Sequence, residues 1–60
     1  MNELEALKSV AQAIRHAAYT LRLASRYNDD AENRGVYRGN AEELEEALET
    51  LRAIIGRKGE

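Results

Sequence analysis

LEALKSVAQAIRHAAYTLRLASRY, residues 4–27, decides the fold. Leu4, Leu7, Ala11, Ile14, Ala18, Leu21 and Ser25 recur at alternating spacings of three and four, which places them on one face of an α-helix. Val10, Ala17 and Ala24 widen that stripe. Alanine is the best helix former, and its small side chain lets a second helix approach closely. Just upstream, Asn2 and Glu5 form an Asn-x-x-Glu capping box, and Glu3 and Glu5 suit the positive end of the helix dipole.

Downstream, two sets of signals compete. Asn28, Asp29 and Asp30 are weak helix formers and mark a soft spot. Gly35, however, is placed to be a left-handed residue just past a helix end, with Val36 touching Ala31 as in a Schellman motif. Gly35 and Gly39 then bracket a tight connection, and Asn40 with Glu43 makes a second capping box. This spacing predicts a first helix over about residues 3–34, a turn at 35–39 and a second helix over about 40–56. The alternative, residues 28–39 as a loop, stays open.

The second helix has its own seam in Ala41, Leu44, Leu48, Leu51 and Ile55, with Ala47 and Ile54 alongside. Gly56 reads as its end, Arg52, Arg57 and Lys58 sit at the negative end of the dipole, and the tail Gly59–Glu60 is expected to fray. Residues 1–60 therefore read as one all-α domain, an antiparallel helical hairpin with a long first helix and a shorter second one. On this reading the second helix covers the first only from about Ile14 onward. Leu4, Leu7, Val10, Ala11 and Ile14 become the expected interface of a homo-oligomeric bundle. A chain of 60 residues with no Cys has no disulfide or thiolate metal site to staple it, which leaves self-association as its route to stability.

The net charge of −2 hides a segregation. Lys8, Arg15, Arg22 and Arg26 are the only charges between Ala6 and Asn28, whereas Glu42, Glu43, Glu45, Glu46 and Glu49 oppose Arg52 alone between Ala41 and Ile55. Such asymmetry favours self-complementary packing or an anionic ligand on one face. The mildly acidic total argues against long DNA or RNA as a partner. No run is apolar enough for a membrane span and the N-terminus lacks the pattern of a signal peptide, so a cytoplasmic location is expected.

Arg15, Tyr19, Arg22 and Arg26 share one helix face, and Arg34, Tyr37 and Arg38 cluster at the expected hairpin tip. Guanidinium forks grip phosphate or carboxylate through paired N–H bonds, and Tyr and Arg planes stack on bases. These seven residues are the candidate contacts for a small phosphorylated or nucleotide ligand bound between subunits. The bland reading is a solvated basic face, or one paired with Glu45, Glu46 and Glu49 of another copy, with Tyr37 packed over Val36. Leu23, on the polar side, suits a second interface.

His16 has no acid three or four residues away, and with no Cys and no other His neither a catalytic dyad nor a zinc site assembles within one chain. The acidic run at 42–46 lacks the turn and alternating ligands of a calcium loop. No enzyme, metal or cofactor is expected.

Leu44-Glu45-Glu46-Ala47, followed by Ala53, Ile55 and Arg57, resembles the closing helix of small phage helical-hairpin proteins. Those proteins sequester the nucleotide second messengers of bacterial defence systems such as CBASS and Thoeris. The family's Thr-Lys pair before this helix is Glu42-Glu43 here, and its Trp has no counterpart. The resemblance implies oligomerising hairpins that bind a nucleotide between subunits in the host cytoplasm. Two other readings stand beside it: an inhibitor or regulator that docks its long helix on a host protein, and a purely structural oligomerisation module.

Overall fold

A computed structural model describes residues 2–59 as two α-helices, α1 (Glu3–Tyr27) and α2 (Ala31–Lys58), folded back on each other. Met1 and Glu60, and with Glu60 the end of the expected frayed tail, lie outside the described residues. Asn2 opens α1 as expected, its Oδ1 accepting from the Glu5 N–H at 2.8 Å. The hairpin is all-helical, as the seam spacing predicts.

The turn is not at 35–39; it occupies residues 28–30. The physical reason is the hydrogen bonding of its side chains. Asn28 ends α1 with its own N–H bonded to the Ala24 carbonyl at 3.0 Å. Its Oδ1 accepts from the Asp30 N–H at 2.8 Å, and Asp30 Oδ1 in turn accepts from the Glu32 N–H at 2.9 Å and so caps α2. Arg34 ties the corner: its Nη1 donates to the Asn28 carbonyl at 2.8 Å, and its own carbonyl accepts from Ser25 Oγ at 2.9 Å. Three short polar residues thus supply both an exit and an entry.

Gly35 and Gly39 are interior residues of α2 with no positive φ, so no Schellman motif forms there. Asn40 is likewise mid-helix and caps nothing. Gly56 does not end α2, which runs to Lys58 before Gly59 donates its N–H to the Ile55 carbonyl at 2.9 Å.

Moving the turn makes the helices nearly equal, 25 and 28 residues. At about 1.5 Å per residue they are roughly 37 and 42 Å long, and the molecule measures 44 × 18 × 10 Å. Lys58 Nζ reaches the Glu3 carboxylate at 2.9 Å, so the last turn of α2 lies beside the first turn of α1. No bare apolar end is left over. Leu4, Leu7 and Ile14 are half-buried and Ala11 is buried in the seam; of the five residues expected to face another copy, only Val10 is exposed.

The same heptad runs through α2 from its start, as Arg34, Tyr37, Ala41, Leu44, Leu48, Leu51 and Ile55, all buried or half-buried. The Ser25–Arg34 and Glu3–Lys58 bonds set the register and bring Ala18 level with Ala41 and Ala11 level with Leu48. These four are the buried core among the described residues, and Ala41 has no exposed surface. Small side chains at the waist permit close approach, while the Leu and Ile side chains around it keep part of their surface in water.

Candidate functional site

In both helices the residue immediately after a seam position falls on the same side of the hairpin. On α1 the row after Leu7, Ile14 and Leu21 is Lys8, Arg15 and Arg22, and on α2 the row after Tyr37, Leu44 and Leu51 is Arg38, Glu45 and Arg52. The residues after the other seam positions, Glu5, Gln12, Tyr19 and Arg26 on α1 and Gly35, Glu42, Glu49 and Gly56 on α2, flank these rows. The two rows meet at Arg22 and Glu45, where Nε and Nη2 donate to the two carboxylate oxygens at 3.0 and 2.6 Å. This bond holds the Glu45 carboxyl below its ordinary value and pushes the Arg22 guanidinium up. Arg22, expected to meet a ligand or the acids of another copy, is paired within its own chain.

One heptad toward the open end, Arg15 and Arg52 occupy the positions equivalent to Arg22 and Glu45. Both guanidinium groups line one groove of about 300 Å³ with Tyr19, which is 63% exposed. Ala18 and Leu48, both buried, form its floor, and the Arg22–Glu45 pair closes its turn-side end. Among the described residues neither Arg15 nor Arg52 has a salt bridge or a side-chain hydrogen bond to protein. Two cations that line one groove over buried side chains can both be satisfied by an anion lying between them. The arrangement suits a phosphate or carboxylate, with the Tyr19 ring free to stack on an attached base.

The remaining candidates separate. Arg26 and Arg38 are exposed on the same basic side, one in the last turn of α1 and the other in the second turn of α2. Arg34 and Tyr37 are not at a tip: both are half-buried seam residues of α2, and Arg34 is consumed by the turn. Arg52, read in the sequence only as a dipole partner, is the groove residue that was missed. Its position after Leu51 matches that of Arg15 after Ile14, a correspondence visible only once the turn is placed at 28–30.

His16 does not line this groove; it sits in an adjoining shallow depression of about 300 Å³ along α1 with Gln12, and Arg15 and Tyr19 border both. No carboxylate or thiol shares it. Among the described residues no three His, Cys, Asp or Glu side chains converge as metal ligands, and no helix is long and apolar enough to cross a membrane. Comparison of the chain with protein-family profiles, curated proteins and solved structures finds no match.

Proposed function

We propose that this chain is a non-enzymatic, self-associating helical hairpin that binds and sequesters a small phosphorylated ligand of the nucleotide class. The observation that carries the reading is the unpartnered Arg15–Arg52 pair over the Ala18–Leu48 floor, with Tyr19 beside it. Guanidinium forks recognise phosphate through paired bonds, and the exposed ring offers a platform for a base. A groove of about 300 Å³ is at the small end of ligand pockets and fits one nucleotide unit better than a long polymer. The net charge of −2 also disfavours a polymeric nucleic acid. The likeness of residues 44–57 to the closing helix of phage nucleotide sponges supports the same ligand class, and with it a counter-defence role in a host cytoplasm.

The test is a thermal-shift and calorimetry panel of nucleoside mono- and diphosphates and cyclic and linear oligonucleotides. Binding to the folded state raises the melting temperature by mass action. Arg15→Ala and Arg52→Ala each remove that rise while the apo protein melts as before. A panel at millimolar concentration with no shift overturns the reading. A host protein recovered by pull-down would then support the second reading, docking on a protein partner, which the exposed Val10, Tyr27 and Val36 side chains favour.

A further inference from the structure

The residues immediately before each seam position lie on the side of the hairpin opposite the groove, and their chemistry differs. On α1 they are Glu3, Ala6, Val10, Ala13, Ala17, Thr20 and Ala24, with Tyr27 continuing the row, so beyond Glu3 the row is uncharged for the rest of the helix. On α2 the corresponding rows contain Val36, Ala47, Thr50 and Ile54, two asparagines, and only two charges, Glu43 and Arg57. Val10, Tyr27 and Val36 are each more than half exposed, and they are three of the four large apolar side chains left out in solvent among the described residues. Glu3 is neutralised by Lys58, and Glu43 and Arg57 cancel. The face is apolar and electrically balanced.

We infer that a second copy of the chain packs on this face, making a four-helix bundle whose two arginine grooves both point outward. The inference rests on the self-association in the functional reading and goes beyond it, because it makes each ligand site complete within one chain instead of shared between subunits.

The exposed area leaves room for a second copy. The hairpin exposes 4670 Å², where a compact monomer of 6.7 kDa exposes roughly 3,900 Å². The excess, roughly 700–800 Å², is close to the ~800 Å² that each partner buries in a stable interface. Charge selects the face: two copies meeting through the groove side would bring together rows in which Lys8, Arg15, Arg22, Arg26, Arg38 and Arg52 outnumber Glu5, Glu42, Glu45 and Glu49, so each copy presents a net positive side to the other. Through the opposite side no such repulsion arises.

Sedimentation equilibrium supplies the test. The native chain should sediment at twice 6.7 kDa or more at micromolar concentration, Val10→Glu should lower that mass, and Arg15→Glu should leave it unchanged. Since Val10→Glu could lose mass by unfolding, thiol reactivity gives a second reading in a chain that has no native cysteine. At a concentration where the assembly persists, Ala17→Cys should react several-fold more slowly with a charged alkylating reagent than Gln12→Cys, and the difference should vanish on dilution. A native chain that sediments as a monomer defeats self-association itself. An assembly that Arg15→Glu dissociates, or whose Ala17 thiol reacts as fast as its Gln12 thiol, overturns the assignment of the face alone.

Discussion

Glu3 and Lys58 lie 2.9 Å apart, joining the first turn of α1 to the last turn of α2. The hydrogen bond and charge of Lys58 hold the Glu3 carboxyl below its ordinary value of 4.5. Arg22 does the same to Glu45 at mid-hairpin.

Both shifts are downward, so both pairs stabilise the folded state above the unfolded carboxyl value and lose that contribution as pH falls through the folded one. The melting temperature should therefore be flat from pH 7 to about 5 and fall progressively once pH drops below the ordinary value of 4.5. Both pairs are solvent-exposed, so the fall should be shallow and should diminish in high salt. A titration of Glu3→Gln,Glu45→Gln with an unchanged acid limb would show that other carboxylates control it.

Gly35 and Gly39 lie inside α2 with helical backbone, and an added Cβ at either meets nothing within 4 Å. Gly35→Ala and Gly39→Ala should each stabilise the hairpin by about 0.5–1 kcal/mol, because alanine removes unfolded-state freedom and favours the helix. Urea denaturation measures this directly. Gly59→Ala is the contrast, since its Cβ would stand 3.3 Å from the Ile55 carbonyl and should gain nothing.

The turn at 28–30 should be sensitive to substitution, and the exposed Arg38 should not. Asp30→Ala removes the α2 cap and should cost about 1 kcal/mol. Arg34→Ala frees the Asn28 carbonyl and should cost roughly 1.5 kcal/mol, whereas the exposed Arg38→Ala should stay within about 0.5 kcal/mol. Equal costs for Arg34→Ala and Arg38→Ala in thermal melts would refute the distinction.

The waist admits little change in size. Leu48→Ala should cost about 2–5 kcal/mol through the cavity it leaves. Ala41→Leu should cost about 1–3 kcal/mol by forcing the helices apart, since Ala41 has no exposed surface. Circular dichroism melts of the two variants separate a tight waist from a loose one.

How much was legible in the sequence follows from which residues carry the signal. The Leu4–Leu21 and Ala41–Ile55 seams are apolar and could be read directly. The stretch between them could not, because the α2 heptad begins with Arg34 and Tyr37, a guanidinium and a phenol at seam positions. Gly35, Gly39 and Asn40 then gave stronger local turn signals than Asn28–Asp30, and tertiary closure of two equal helices overrode them. The same misplacement hid Arg52, whose role depends on register across the hairpin. Arg15, Tyr19 and Arg22 needed only the 3.6-residue period and were read correctly as one face.

The Glu3–Lys58 bridge has a topological consequence. The two ends of the described chain emerge side by side at one end of a rod 44 Å long, and the only corner is at the other. A short linker could close the open end while the backbone is cut at Asp29, giving a permuted hairpin in which the helix order is reversed and the seam, groove and opposite face are all retained. Such a chain would have its new ends beside Arg26, Arg34 and Arg38, so a reporter fused there sits at the turn, while one on the native chain sits at the far end of the rod.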